Sequence, residues 1–422
     1  MMRKDDREPI VITGVGMITA TGADRESVWR AVQRGTSGVR KIRGLVGIPD
    51  DLLIGATVDL PASEPGRLKV LDLARTAAAE AMADARLHPM RIDRERFGCA
   101  VSGHVGDTSY VLEKMGLGDR LAPNRPNWWD QFLPNTACQE VANHYGLRGP
   151  RISHSVACAS GAIDILSAVR CIEDDQADLC LAGSAEAIHP VFAAGFKQMR
   201  VLATHDDPTQ ACRPFDADRN GFVMGEGAAM FVLERLSHAL DRGARIYAEI
   251  VAGKVLSEGR HVTALDEHAE ALTRTIVGVL RRGGFAPDDV EYINVHGTGT
   301  EQNDVCEATG IRQAFGRAAD RIPVSATKSM IGHLVNAAGS VELAVTTLAL
   351  RDGFAPPTIN LHSPDPRCRL DHLPLYGRRS RPQTALKLSV AFGGHLAAIL
   401  LRRWNDASSG FGYPSIAVPA AA

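Results

Sequence analysis

Two stretches of the chain, ISHSVACASGAIDILSAVR (residues 152–170) and VSATKSMIGHLVNAAGSVELAV (residues 324–345), share one plan. Each begins with a strand-like run, passes through a short loop and continues into a helix of small residues. Two further pairs of segments recur in the same order, namely 81–103 with 279–297 and 225–236 with 394–404. Units that recur in one order indicate an internal duplication. The sequence therefore predicts an α/β protein made of two similar halves.

The boundary between these halves is placed after residue 245, giving units 1–245 and 246–422. Short β-branched runs alternate with longer alanine-rich segments, as in α/β proteins with buried sheets. The predicted strands are Ile10–Thr13, Gly98–Ser102, Leu179–Ala182, Ala228–Leu233, Ala248–Val251, Tyr292–Val295 and Ala397–Leu401. The predicted helices are Arg25–Gln33, Val70–Ala85, Gly161–Glu173, His268–Arg282 and Ala337–Arg351.

The composition is that of an ordinary globular enzyme, with 45% apolar and 23% charged residues and a formal charge of -2. This charge gives no reason to expect a nucleic-acid partner. No apolar stretch approaches the roughly 20 residues that span a bilayer, and the charged N-terminus lacks the apolar core of a signal peptide. Eight scattered cysteines show neither CxxC spacing nor histidine partners at metal-ligand spacing. We expect a reduced, cytoplasmic protein without a metal site.

Cys158 is surrounded by small residues at the start of a predicted helix, which leaves room for a substrate carbonyl. A helix N-terminus favours the thiolate through its free N–H groups and its dipole. The Cys158 backbone N–H is a candidate oxyanion donor. These features predict a nucleophile, and the alternative interpretation is a buried structural cysteine.

A second group of chemical residues lies in YINVHGTGT, residues 292–300. The predicted strand delivers His296 to a loop whose glycines let a ligand approach the backbone. Thr298 and Thr300 supply hydroxyl groups to the same loop. A satisfied core histidine is the alternative interpretation of His296.

Lys328 and His333 lie on the loop before the small-residue helix of the second half. If the halves pack about a pseudo-two-fold axis, this loop faces Cys158. We then expect Cys158 and His333 to lie less than about 10 Å apart, because a larger separation is beyond hydrogen-bond reach even through a water. Glu307 and Glu342 are carboxylates available to pair with Lys328. A solvated surface lysine is the alternative.

Phe392 precedes Gly393 and Gly394 in SVAFGGHLAAILL, residues 389–401. This arrangement predicts a mobile aromatic side chain at a pocket mouth and a second oxyanion N–H, although simple core packing explains the phenylalanine equally well. A cysteine with one histidine is typical of acyl transfer or proteolysis. Two imidazoles can also hold a thioester oxygen as it becomes an enolate, and this favours carbon–carbon bond formation.

With these motifs in order, the chain resembles the β-ketoacyl-[acyl-carrier-protein] synthases, especially the elongating type II enzymes and the related polyketide ketosynthases. The resemblance starts at IVITGVGMITATGAD and runs nearly to the end of the chain. Its other motifs are YGLRGPRISHSVACASG, ADLCLAGSAEA, RPFDADRNGFVMGEGAAMFVLE, VHGTGTEQNDVCEATGI, TKSMIGHLVNAAGSVE, PPTINLHSPDP and AFGGHLAAILL.

The resemblance implies a thiolase-like fold, with two duplicated α/β halves in five layers (α-β-α-β-α), and a homodimer. It implies that Cys158 is the acylated nucleophile and that His296 and His333 assist decarboxylation of a malonyl thioester. It also implies that Lys328 is a supporting lysine held by Glu342 and the Glu307 region. The remaining implied roles are substrate contacts at the phosphopantetheine arm and at the gate, carried by Thr298, Thr300, Phe392, Gly393 and Gly394.

The resemblance further implies that an acyl carrier protein is the partner and that no metal or redox cofactor is needed. Arg125 and Arg200 are candidates for docking an acidic carrier surface, and unpartnered surface arginines are the alternative interpretation.

The gate motif departs from the family pattern at Val390, Ala391 and Leu396, and Glu258 stands where an aspartate is common. These changes bear on substrate class and leave a second function open, that of a non-catalytic partner that sets chain length. A thiolase would need a second cysteine near the C-terminus, and a chain-initiating synthase would have asparagine at His333.

Overall fold

The computed structural model describes residues 8–43, 54–64, 66–87, 92–103, 106–116 and 128–405. Its strands are β1 (Ile10–Thr19), β2 (Arg40–Lys41), β3 (Ile54–Ala56), β4 (Phe97–Ser102), β5 (Arg151–Ile152), β6 (Leu179–Glu186), β7 (Met224–Gly225), β8 (Gly227–Arg235), β9 (Ala248–Ser257), β10 (Ile293–Asn294), β11 (Val324–Ser325), β12 (Phe354–Ala355), β13 (Arg378–Arg379), β14 (Thr384–Ala391) and β15 (His395–Arg403). Its helices are α1 (Arg25–Gln33), α2 (Lys69–Ala85), α3 (Thr108–Lys114), α4 (Thr136–Tyr145), α5 (Ser160–Glu173), α6 (Pro190–Gln198), α7 (Leu236–Asp241), α8 (Glu270–Gly283), α9 (Glu301–Phe315), α10 (Lys328–Ile331) and α11 (Ala338–Asp352).

Ten of these strands form one sheet in the order β11-β10-β14-β15-β9-β1-β8-β6-β4-β5. The two ends of this order mirror each other. From the centre outward, β1, β8 and β6 are antiparallel and β4 and β5 run parallel to β6, while β9, β15, β14, β10 and β11 repeat the same pattern. The duplication predicted from paired segments is confirmed by this repeat.

The two halves of the sheet are joined through their central strands, because β1 pairs antiparallel with β9 from Ile10 opposite Ile250 to Ile12 opposite Ala248. The paired segments in the sequence describe each half separately, so they did not predict this join. The boundary at residue 245 stays a prediction.

Five layers arise because α5 and α11 lie between the two halves of the sheet. Residues Ala338 to Leu350 of α11 are all buried, as expected of a helix covered on every side. The outer layers are formed by α2 and α4 on one side and by α8 and α9 on the other. Each of these outer helices buries one apolar face.

Close packing of the central helices depends on glycine. A Cβ atom on Gly339 of α11 would lie 2.6 Å from the backbone nitrogen of Ala162 in α5, closer than real Cβ atoms approach. The hydroxyl oxygens of Ser184 in β6 and Ser340 in α11 lie 2.6 Å apart, so the helix also lies close against the sheet. The small residues predicted in both helices are what let α5 and α11 approach this closely. Their N-termini therefore converge near the centre of the molecule.

Candidate active site

Cys158 lies in a short 3-10 turn, Ala157–Ala159, between β5 and α5. Ala157 has a positive φ of 48°, a conformation that is uncommon outside glycine. The cysteine is 7% exposed. Its own backbone N–H and that of Phe392 both interact with the sulfur. A carbonyl bound at Cys158 would meet the two predicted donors.

The thiol of Cys158 is not activated in the resting protein. Burial raises its pKa to about 12, against the opposing effects of the Lys328 charge and the two backbone N–H groups. The backbone N–H groups at this turn lower the pKa of the thiol, as expected at a helix N-terminus, but loss of hydration outweighs them. The sulfur must lose its proton in the course of the reaction.

His296 follows β10, where a buried carboxylate fixes the backbone. The N–H groups of His296 and Gly297 donate to the two oxygens of Glu307, at 2.5 and 2.7 Å. Burial raises the pKa of Glu307 to about 7. Glu307 was predicted to pair with Lys328, but its carboxylate is directed to the strand end instead. It supports His296 through the backbone.

Lys328 begins α10 and is fully buried. Its ammonium group lies 3.1 Å from Nδ1 of His296, donates to the His296 carbonyl at 2.5 Å and pairs with Glu342. The interpretation as a surface lysine is excluded by this burial. Lys328 instead links the carboxylate of α11 to the ring of His296.

His333 lies between α10 and α11, and its backbone N–H donates to the Val223 carbonyl at 2.6 Å. Its Nδ1 accepts the N–H of Val335 at 3.1 Å. In a neutral imidazole the nitrogen that does not accept carries the proton. Since Nδ1 accepts in both rings, His296 and His333 both hold the proton on Nε2. Each is a neutral hydrogen-bond donor.

Cys158, His296 and His333 converge, since one polar side-chain atom of each lies within 4.8 Å of the other two. The two imidazole rings are 5.1 Å apart and nearly perpendicular. The predicted proximity of Cys158 and His333 is confirmed. Burial and the Lys328 charge hold the pKa of both imidazoles well below the ordinary value. Neutral rings therefore surround a neutral thiol.

The same three atoms form, among the described residues, a group that could hold a metal ion. The ammonium of Lys328, 3.1 Å from His296 Nδ1, opposes a divalent cation at this place. The absence of a cofactor remains a prediction.

These groups line a cavity of about 540 Å³. Thr298 and Thr300 are also in its wall, with their hydroxyl oxygens 2.8 Å apart. Phe392 is half-buried and lines the cavity, with its ring 6.5 Å from that of Phe196. The cavity thus brings both threonines and the phenylalanine to the same space as Cys158.

The glycine pair after Phe392 forms a turn with positive φ angles of 82° and 74° at Gly393 and Gly394. The Gly393 N–H donates to the Val262 carbonyl at 2.6 Å, and the Glu258 N–H donates to the Gly394 carbonyl at 2.9 Å. The segment that departs from the family pattern at Glu258 therefore holds the turn behind Phe392.

Arg200 is exposed and lines the cavity, with a positive φ of 58°. Its position at the cavity agrees with the place predicted for a docking residue. Arg125, the other predicted docking residue, lies outside the described residues.

Sequence reasoning missed several residues of the site. The Phe222 ring lies 5.1 Å from the ring of His333, and buried Arg219 and Asn303 line the cavity. Lys387 in β14 is buried and lies 2.7 Å from Glu342. The signal for Lys387 was one lysine inside the apolar run TALKLSVA.

No helix among the described residues is long and apolar enough to cross a membrane. Two family models match the chain, the beta-ketoacyl synthase N-terminal domain over residues 69–239 and the C-terminal domain over residues 247–362. The chain is 35% identical to the tetracenomycin polyketide synthase ketoacyl synthase alpha subunit of Streptomyces glaucescens, over 97% of this chain and 100% of that protein. It is 36% identical to 3-oxoacyl-[acyl-carrier-protein] synthase 2 of Coxiella burnetii, over 95% and 100%.

Two solved structures resemble the whole fold. One is a type II PKS ketosynthase in complex with its acyl-carrier protein and bound to the hexaketide, with a TM-score of 0.86 and 32% identity over 95% of this chain and 100% of that one. The other is a beta-ketoacyl synthase from Burkholderia phymatum, with a TM-score of 0.85 and 30% identity over 94% and 100%. The chain belongs to the beta-ketoacyl synthase family, a family of acyltransferases that act in fatty acid or polyketide synthesis.

Proposed function

We propose that this chain catalyses decarboxylative condensation of an acyl group on Cys158 with a malonyl thioester, giving a 3-oxoacyl thioester. The observation that carries the proposal is the convergence of the Cys158 sulfur and two neutral imidazoles within 4.8 Å at one cavity. A thiol next to donors of this kind can capture a thioester and stabilise an enolate.

The first half-reaction is acyl transfer. The Cys158 sulfur attacks the carbonyl of an acyl thioester, and the thiol proton is transferred to the carrier sulfur that departs. The oxyanion is held by the backbone N–H groups of Cys158 and Phe392, which already interact with the sulfur. Collapse of this intermediate expels the carrier thiolate, which takes up a proton. The acyl group is now bound to Cys158.

The second half-reaction begins with loss of carbon dioxide from the malonyl thioester. The electron pair of the broken carbon–carbon bond passes to the α-carbon and the thioester oxygen. The Nε2–H groups of His296 and His333 donate to that oxygen. The α-carbon then attacks the acyl-Cys158 carbonyl, a carbon–carbon bond forms, and the sulfur leaves and recovers a proton. These steps need no metal or redox cofactor.

We also propose an acyl carrier protein as the partner. The name of the Coxiella burnetii relative contains this carrier, and one similar ketosynthase structure is bound to its carrier. Arg200 at the cavity supports a carrier docking at this mouth, because an exposed cation attracts an acidic surface. Charge reversal at Arg200 should weaken carrier binding, and unchanged affinity would dismiss that residue.

We propose a homodimer as the assembly of this chain. The strand β5 ends the ten-stranded sheet, so its outer edge is available to a second copy. Sedimentation of the purified chain should give twice its monomer mass. A monomer, or pairing only with a different ketosynthase-like chain, would contradict the homodimer.

The second candidate is a chain-length partner without condensing activity. A similar structure is the ishigamide ketosynthase/chain length factor, at 28% identity with a TM-score of 0.84. The changed gate residues Val390, Ala391 and Leu396 favour this candidate, while Cys158, His296 and His333 oppose it.

The experiment is mass spectrometry of products formed from a panel of acyl carriers with malonyl carrier. The proposal predicts products extended by two carbons. If the chain neither takes up acyl groups nor yields extended products, the condensing function is contradicted and the partner function is favoured.

A further inference from the structure

Lys387 is a buried cation that the reaction above does not use. Every residue of β14 is buried, and Lys387 is 1% exposed. Its ammonium lies 2.7 Å from Oε2 of Glu342 and donates to the Leu388 carbonyl. A charged group inside a protein is costly unless it is paired. Such a group needs an explanation beyond packing.

The contacts of Glu342 connect Lys387 to the active site. One carboxylate oxygen of Glu342 faces Lys387, and the other pairs with Lys328. Lys328 in turn lies 3.1 Å from Nδ1 of His296. An unbroken chain of contacts therefore runs from Lys387 through a carboxylate and a second lysine to a ring beside Cys158.

This chain of contacts carries an excess of positive charge. Two lysines flank one carboxylate, so the Lys387–Glu342–Lys328 group has a net charge of +1 when all three are ionised. Burial lowers the pKa of His296 and His333, and the Lys328 and Lys387 charges lower it further. Other titratable groups around this triad are Glu307, which the Lys387 charge stabilises as a carboxylate, Tyr292, Cys158 and Cys212.

We propose that Lys387 is a positioning residue for the condensation reaction. By sharing the Glu342 carboxylate, it leaves the Lys328 ammonium free to hold Nδ1 of His296, so that Nε2–H faces the reacting thioester. It also keeps net positive charge behind the imidazoles, where an enolate develops. This inference rests on the proposed function.

The test replaces Lys387 with glutamine, because the amide still donates a hydrogen bond to Glu342 but carries no charge. Loss of a nearby positive charge should raise the pKa of His296, because the Lys387 charge is one of the causes that lower it. The acidic limb of the pH profile for the rate of carbon dioxide release from malonyl carrier should then move to higher pH. Turnover at neutral pH should also fall, because less positive charge then lies behind the imidazoles where the enolate develops.

A matched control is Lys254→Gln in β9. The Lys254 side chain is half-buried against α8, and its substitution removes the same charge at a place away from the site. It should keep the wild-type pH profile. Lys387→Met is the second variant if the glutamine variant does not fold, with thermal unfolding measured on all four proteins. An unmoved acidic limb in the Lys387 variants would overturn the inference, even if turnover or stability fell.

Titration of ¹³C-labelled histidines by NMR reads the charge on the imidazoles without turnover. Equal His296 titration in the wild type and in Lys387→Gln would also overturn the inference. Failure of the proposed function appears differently, as absence of condensation in the wild-type protein.

Discussion

The turn before α5 and the turn before α11 have similar backbones and carry different side chains. Ala157 and Val335 have positive φ angles of 48° and 38°. Each begins a short 3-10 turn that runs into a long central helix. The first turn holds the Cys158 sulfur, whereas the second follows a loop that adds Lys328 and His333. The duplication thus places a thiol at one of two corresponding turns and proton-bearing groups beside the other.

Burial also acts in opposite directions on the pKa of the thiol and on the pKa of the imidazoles. Burial raises the pKa of the Cys158 thiol and lowers that of the imidazoles, and both effects favour the neutral form. The thiol and imidazoles that line the cavity are neutral, so an acyl thioester can approach them without desolvating a charge on these groups. Charge then appears only as bonds change, next to donors that are already oriented.

Removal of the Cys158 sulfur is expected to have the largest effect. Cys158→Ala should abolish both acyl transfer and condensation, because no other group on the first turn can form a thioester. Product formation from acyl and malonyl carriers measures the effect. Cys171→Ala is the matched control, since Cys171 is a buried cysteine on the same helix α5. Retained acyl transfer in Cys158→Ala would refute the assignment.

Removing either imidazole should act mainly on the second half-reaction. His296→Ala and His333→Ala should each slow carbon dioxide release by about 10²–10³-fold, the usual cost of losing one oxyanion donor. Acylation of Cys158 should fall less. The exposed histidine in His144→Ala serves as control. An equal loss in both half-reactions would show that the two turns do not divide the chemistry.

Packing between the central helices is expected to have a smaller effect. Gly339→Val places a side chain against the Ala162 backbone and should reduce the free energy of unfolding by about 1–3 kcal/mol. Gly195→Ala, in helix α6 with nothing within 4 Å, should leave it unchanged or raise it by about 0.5–1 kcal/mol. Denaturant titration compares them. Equal stability of Gly339→Val and wild type would contradict the packing of α5 on α11.

The smallest effect concerns the resting charge of the sulfur. With a pKa of about 12, Cys158 is protonated at neutral pH, whereas a free thiol is half ionised near pH 8.5. Alkylation of Cys158 by iodoacetamide should therefore keep rising from pH 7 to pH 10, roughly tenfold per unit, as the thiolate fraction grows. A plateau below about pH 8 would show a resting thiolate and contradict the effect of burial.

Much of this architecture was predictable, because the evidence for it is local. Small residues after Cys158 and in AAGSVELAV indicated helices of small residues. The two glycines that follow Phe392 indicated a turn at a pocket mouth. The helix bounds agree within two residues, as in Ala337–Arg351 predicted and Ala338–Asp352 found. The convergence of Cys158 and His333 followed from the duplication alone.

What could not be predicted depends on residues far apart in the chain. From the sequence alone, a lysine in a strand is expected to face solvent. Only the fold shows that Glu342, on another element, lies beside Lys387. The raised pKa of Cys158 depends on burial by several segments, which no local pattern reports. Glu307 was assigned to Lys328 because both are charged, but it binds the backbone of His296 and Gly297.

The central claim is that the sulfur on the first turn accepts the acyl group that the second turn helps to extend. The direct measurement is a single turnover with isotope-labelled acyl carrier, followed by peptide mapping by mass spectrometry. The account predicts the label on the peptide containing Cys158, and its release as extended product once malonyl carrier is added. Label on any other residue, or label on Cys158 that malonyl carrier does not release, would contradict it.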